Sequence, residues 1–251
     1  MFQQGVQMSK VIPSASARSE LTAYGKLRVA FPVASALYVI QDPMNGRLSG
    51  VSPEIGSELA ARLDVPFEPR PYATVRDLIH ATHRGEWDIA TIVIESEREK
   101  LLNFTKPYLE ADSTFMVPLG SEIKNIADAD VEGIRIGVAE RSAFDLQLTR
   151  MIKHATLVRY PGVKAAFRGF KLKENDAVAA PRPVLATSLS EMPPARILDD
   201  KFDVAKVGMA IPKNHNSASL VFLDAFIDEV LTNGWLLQAI DRSGIVGIRI
   251  A

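Results

Sequence analysis

The chain has 251 residues, 47% of them apolar and 24% charged, and a net charge of −1. That composition is ordinary for a globular protein, and the near-neutral charge gives no pull towards nucleic acid or an anionic membrane surface. There is no cysteine, which removes disulfides, thiolate nucleophiles and cysteine-based metal sites together. No run approaches about 18 apolar residues, so no transmembrane helix is expected. The length permits one large domain or two lobes of about 100 residues each.

Residues 1–24 are polar and mixed, lack the apolar core of a secretory signal, and are expected to form a flexible leader. Lys26–Phe31 alternates apolar and polar residues and reads as a first strand. Asn45-Gly46 marks a tight turn. A helix is expected from Ser52 as N-cap with Pro53 at its first position, putting Ile55, Leu59 and Leu63 on one face. Val65–Glu68 reads as a strand, Thr74–His83 as a helix, and Trp87–Ile94 as a strand buried on both faces. Strand and helix alternating in this way imply a parallel sheet covered by helices.

A second series follows the extended segment Thr114–Pro118. Ile134–Ala139 reads as a strand, and Ser142 starts a helix with Asp145 at its N3 position, a capping-box variant. Leu157–Tyr160 reads as a strand, Val163–Phe170 as a helix, Asp176–Ala179 as a short strand and Val207–Pro212 as another extended run. Two helices, Ser219–Leu231 and Trp235–Arg242, end the chain. The expected organisation is therefore α/β and two-lobed. Lobe 1 takes residues 25–112 and 207–251, lobe 2 takes residues 113–206, two crossover strands join them, and a ligand cleft lies between them. Hinge closure is the expected motion.

The chemistry concentrates in Trp87–Tyr108, WDIATIVIESEREKLLNFTKPY. Arg98 follows a buried strand, at the sheet end where open α/β folds bind ligands. Its planar fork matches a carboxylate in a bidentate way. Other motifs say less. His80 and His83 sit three apart on one helix but lack a third ligand in sequence, and a solvated face explains them. No G-x-S-x-G, Walker loop or G-x-G-x-x-G occurs. No carboxylate pair is placed by spacing for acid–base work. Tyr38, Phe115 and Tyr160 could line a cleft and are more simply read as core.

The ordered segments GKLRVAF, LSGVSPEIGSELAARLDV, LIHATHRGEWDIA, ESEREKLLNFTKPYLE and VEGIRIGVAERSAF resemble the extracellular solute-binding protein family 3, the periplasmic components of polar amino acid ABC transporters. The resemblance runs from about Leu21 to the C-terminus. It implies the two-lobed periplasmic-binding-protein type II fold. It also assigns the carboxylate grip to Arg98, with Thr91 and Glu95 from the preceding strand and its end as further ligand candidates. Ser35 and Tyr38 in the loop Pro32–Tyr38 join them. In the second lobe it points to a helix start at Arg141-Ser142-Ala143, with Ser142 and Ala143 as candidates, since free N–H groups there attract a carboxylate.

Two departures bear on the ligand. Pro181, followed by Arg182, stands where amino acid binders of this family carry the aspartate that holds the α-ammonium, and the loop Pro32–Tyr38 has no acid either. Arg182 would add a second cation. The expected ligand is therefore a small carboxylate or dicarboxylate, not necessarily a standard amino acid, because a buried unpaired ammonium is costly. No cofactor, metal or catalytic residue is expected, and no nucleic acid or membrane insertion. The resemblance implies a monomer that partners an ABC permease in the periplasm. Without an export signal the chain would be cytoplasmic if it is complete. The alternatives are a cyclohexadienyl-dehydratase-like enzyme, disfavoured because Ala180-Pro181-Arg182-Pro183 holds no glutamate, and a cytoplasmic or receptor-linked sensing module.

Overall fold

In the computed structural model, which describes residues 10–33, 39–42 and 44–251, every residue of strand β1 (Leu27–Pro32) is buried. Helix α1 (Ala15–Leu21) precedes it. After it come the short hairpin β2 (Ile40–Gln41) and β3 (Leu48–Ser49), then α2 (Val51–Arg62), β4 (Phe67–Tyr72), α3 (Val75–Thr82), β5 (Ile89–Val93) and β6 (Leu102–Phe104). Strand β7 (Leu109–Pro118) leads into a second series: β8 (Arg135–Ala139), α4 (Ala143–Met151), β9 (Thr156–Tyr160), α5 (Val163–Lys171), β10 (Ala177–Pro181), α6 (Arg182–Ser188) and β11 (Ala195–Ile197). Strand β12 (Asp203–Pro212) returns, followed by α7 (Ser217–Thr232), α8 (Trp235–Ser243) and β13 (Ile248–Ile250). The chain divides into unit 1, Met1–Leu109 with Lys206–Ile245 and Arg249–Ala251, and unit 2, Glu110–Ala205 with Val246–Ile248.

The two units repeat one plan. In unit 1 the strand order is β4-β1-β5-β12, with β1 parallel to both neighbours and β12 antiparallel to β5. In unit 2 it is β9-β8-β10-β7, with β8 parallel to both neighbours and β10 antiparallel to β7. Helices α2 and α3 occupy the places in the first series that α4 and α5 occupy in the second. The strands alternate as pleating requires. Phe115, Val117, Ile136, Val138, Ala177 and Ala179 face one core of unit 2 with Leu148 of α4, whereas Met116, Val178 and Ala180 face the other with Phe167 and Phe170 of α5.

The repeat extends to a clasp of side chains. Arg28 donates its backbone N–H, Nε and Nη2 to the Asp88 carboxylate at 2.8, 3.1 and 2.6 Å, and Nη1 to the Gly85 carbonyl at 2.8 Å. Arg135 donates its backbone N–H, Nε and Nη2 to Asp176 at 2.9, 3.0 and 2.9 Å, and Nη2 also donates to the Lys173 carbonyl at 3.0 Å. Gly85 and Lys173 both sit in the left-handed region, at φ 61° and 59°. The residue before each aspartate donates to a helix carbonyl nine positions back, Trp87 Nε1 to Leu78 at 3.0 Å and Asn175 Nδ2 to Ala166 at 3.3 Å. One difference is cover. Tyr24 lies 3.8 Å over the Arg28 guanidinium, and the Arg28–Asp88 pair is buried while the Arg135–Asp176 pair stays partly exposed.

Two expectations need correction. Residues 10–24 are not a flexible leader. Ser14 caps α1, Ala17 and Leu21 are fully buried, and the helix packs on α7. Glu20 accepts from the Asn216 N–H at 2.9 Å and from the Ser219 hydroxyl, and the Val11 N–H donates to Glu229 at 2.7 Å. The second correction concerns α2, which starts two residues earlier than its local signals suggest. Gly50, at φ 106°, is the N-cap, and Ser52 and Pro53 lie within the first turn, where a missing proline N–H still costs nothing. The Ser52 hydroxyl is turned to Tyr108 instead of to its own helix.

Candidate functional site

In unit 1 the candidates gather at the carboxyl end of β5. Arg98 begins a 3-10 turn, Arg98–Lys100, after Glu95. The Glu95 carbonyl accepts from the Arg98 and Glu99 N–H groups at 2.9 and 3.2 Å, so the turn is built on that residue's backbone. The Arg98 guanidinium is partly buried, and its Nη1 donates to the Val93 carbonyl at 2.6 Å, on the last residue of the strand. A guanidinium held at a strand-end carbonyl is kept near the end of the sheet before any ligand arrives.

Thr91 lies one residue pair further down β5, opposite Met209 of β12. Its side chain has no exposed surface, and its hydroxyl makes no well-aligned hydrogen bond among the described residues. Its neighbours are the Tyr108 hydroxyl and, through it, Ser52 at 2.9 Å. Burial pushes the Tyr108 phenol far above its ordinary range, and the Ser52 and Thr91 hydroxyls offset part of that. Ser35 and Tyr38 lie outside the described residues.

In unit 2 the candidates follow β8 and β10, which are parallel neighbours. Ser142 is the N-cap of α4. Its Oγ accepts from the Asp145 N–H at 3.1 Å and donates to the Ala139 carbonyl at 2.7 Å. Asp145, buried in the first turn, reaches past the cap to accept from the Arg141 N–H at 2.8 Å and is paired with Arg159 Nε at 3.0 Å. Arg141 itself adopts φ 59°, and its side chain is exposed. The first helical residue, Ala143, is partly exposed.

Arg182, like Arg98, is held by a backbone carbonyl. It starts α6, and its Nη2 donates to the Asp199 carbonyl at 2.8 Å. The same loop is held by Thr114 Oγ1, which donates to the Asp200 carbonyl at 2.5 Å. The strand leading to Arg182, Ala177–Pro181, is wholly buried, and the two residues before the arginine, Ala180 and Pro181, carry no polar side chain.

The aromatic candidates with described side chains are structural. Phe115 is fully buried and stacks on Phe202 at 5.0 Å between ring centroids. The Tyr160 hydroxyl receives Asn175 Nδ2 at 3.2 Å, and Gly169 leaves it room, since a Cβ there would come within 2.2 Å of that oxygen. His80 and His83 are exposed on and just after α3. Among the described residues no group of three or more metal-binding side chains is assembled, and no helix is long and apolar enough to cross a membrane. Sequence reasoning missed the Ser52–Tyr108 contact. The only local signal was a serine without a capping bond, and that is visible only once the helix start is known.

The chain is similar to several known binding proteins. A glutamine-binding protein from Geobacillus stearothermophilus is 22% identical over 215 residues, which cover 84% of this chain and 82% of the relative. A glutamine-binding protein of an ABC transporter from Bacillus subtilis (strain 168) is 22% identical over 185 residues, 72% of this chain and 67% of the relative. Among solved structures, an ancestral amino acid-binding protein described as a precursor of cyclohexadienyl dehydratase superposes with a TM-score of 0.77 at 22% identity, covering 91% of this chain and 99% of that one. An amino acid ABC transporter substrate-binding protein from Streptococcus pneumoniae, bound to L-arginine, gives 0.75 at 21% identity, covering 89% and 96%. The fold they share with this chain is the two-lobed type II periplasmic-binding-protein architecture. The profile of the bacterial extracellular solute-binding proteins, family 3, matches residues 27–243, and the chain belongs to that family.

Proposed function

We propose that this chain binds a small carboxylate-bearing solute and hands it to an ABC transporter. The observation that carries the reading is Arg98, a guanidinium fixed by the Val93 carbonyl at the carboxyl end of a parallel-sheet strand, on the scaffold of a solute-binding family. The relatives' glutamine ligands, which carry a carboxylate, support the same anchor. The site works by binding alone, with no cofactor, and the protein acts as a monomer, outside the cytoplasm as the family's description has it.

The ligand class is narrower than the family's. The buried end of β10 offers Ala180 and Pro181 where an acid would meet an ammonium, so an α-amino group entering there would lose its hydration with no counter-charge. Carboxylates and dicarboxylates such as succinate are therefore the expected ligands. A thermal-shift panel tests this. A ligand at 100 times its Kd stabilises by about 2.7 kcal/mol. Succinate should raise the melting temperature, and Arg98→Ala should abolish the rise. L-arginine or L-lysine emerging as the tightest ligand would overturn the ligand class, and an intact shift in Arg98→Ala would remove the anchor. Dehydratase chemistry is not expected, since Ala180-Pro181-Arg182-Pro183 holds no glutamate. Phenylpyruvate forming from added prephenate would reverse that.

A further inference from the structure

A cavity of about 340 Å³ lies on unit 1 where three segments end. Thr82 and His83 close α3, Lys100 and Leu101 close the turn that Arg98 begins, and Lys213 and Asn214 follow β12. A space of that volume takes a small molecule. Its lining carries one sign of charge. Two lysines and a histidine line it, and among the described residues no carboxylate does. Lys213 has no ion-pair partner among the described residues. Lys100 pairs with Glu97 at 2.6 Å, but both side chains are 67% exposed, and so open a pair holds its ammonium weakly.

The acceptors in the wall are engaged. The carbonyls of Thr82, Leu101 and Pro212 already accept from the N–H groups of Gly85, Lys213 and His215, at 3.1, 3.1 and 3.0 Å. The Thr82 hydroxyl, in contrast, makes no well-aligned hydrogen bond among the described residues. Its usual acceptor, the Leu78 carbonyl one turn back, already receives Trp87 Nε1 at 3.0 Å. The wall therefore has donors to spare and few acceptors, which favours an anion over a cation. Two hydrogen bonds also tie it to the backbone of Arg98. The Lys213 N–H donates to the Leu101 carbonyl, and the Leu101 N–H donates to the Arg98 carbonyl at 3.0 Å.

We propose that this cavity binds a multivalent oxyanion of the phosphate type, and that the bound anion, bridging Lys100 and Lys213, steadies the turn that starts at Arg98. Lysine serves a phosphate as a point charge, and an anion with several charged oxygens can meet two ammonium groups at once. Binding of the anion is independent of the carboxylate-binding reading above, and only its consequence for Arg98 rests on that reading.

Titration calorimetry with pyrophosphate at constant ionic strength tests the site. Lys213→Gln should weaken binding by roughly three- to tenfold, and Lys100→Gln combined with it should remove binding. Lys171→Gln, at an exposed lysine of unit 2, and Arg98→Ala should leave it unchanged. Pyrophosphate should also slow amide exchange at Leu101 and Lys213, whose N–H groups make the link. No binding to the parent protein overturns the proposal. So does equal weakening by Lys171→Gln, which would mean diffuse attraction to a charged surface, or loss in Arg98→Ala, which would put the anion in the carboxylate site. Intact binding with unchanged exchange at Leu101 and Lys213 overturns the steadying of the turn. If pyrophosphate binds as expected and succinate does not bind the parent, the carboxylate reading fails and the anion site stands.

Discussion

Asp176 holds its charge because Arg135 wraps it. The guanidinium and backbone N–H of Arg135 keep the carboxyl below the usual carboxylate range, against the opposing pull of partial burial. A carboxyl with a depressed folded pKa contributes stability that is fully present above the unfolded value, about 4, and is lost as pH falls through the folded value. Asp176→Asn should therefore lower the urea midpoint at pH 7, and the gap to the parent should close between pH 4 and the depressed folded pKa. A gap unchanged at pH 3 would mean that the asparagine costs shape, not charge. The effect is modest, because the pair is partly open to water and screened. Single residues also show what the sequence could and could not disclose about the site. The position of Arg98 after β5 was legible because its cue is local, a buried β-branched strand followed within a few residues by a guanidinium. The carbonyl that holds Arg182, that of Asp199, lies 17 positions away, and only the fold brings it near.

The same limit operates on elements. The alternation of strand and helix came through because side-chain periodicity is written locally, and α4 begins at Ser142 as its capping residues say. Helix α2 begins elsewhere because the Ser52 hydroxyl is taken by Tyr108, 56 positions on. Helix α6 begins at Arg182-Pro183, where the sequence reading places no element although proline is at home in a first turn. Helix α1 was missed for a related reason. Its amphipathic stripe is two residues, Ala17 and Leu21, too short to register as periodic, and its stability comes from α7. That dependence can be measured. Leu21 is fully buried, so Leu21→Ala should cost about 2–4 kcal/mol in chemical denaturation, as large-to-small changes in packed sites do. A merely tethered leader would give no change.

At the scale of the molecule, one plan used twice yields two cores with unequal exposure of the same clasp. The Arg28–Asp88 pair is enclosed beneath Tyr24, and the Arg135–Asp176 pair has no such lid among the described residues. Removing one partner of an enclosed ion pair leaves an uncompensated charge and costs roughly 3–5 kcal/mol, whereas an exposed pair is worth about 1 kcal/mol or less. The duplication thus predicts an asymmetric response. Asp88→Asn strands the Arg28 guanidinium in unit 1, whose hydrophobic cluster around Trp87, Ile92 and Ala30 is separate from the Phe115 cluster of unit 2. Amide exchange in β1, β4 and β5 should accelerate by on the order of 10²-fold or more, following the local loss of free energy. Exchange in β8, β9 and β10 should stay near the parent rate, because those strands keep their own clasp and core. If both sets accelerate together, the units unfold as one cooperative body and the clasps are not local fasteners. If neither does, a water or a rearranged Gly85 carbonyl satisfies Arg28, and the enclosed pair contributes register more than stability.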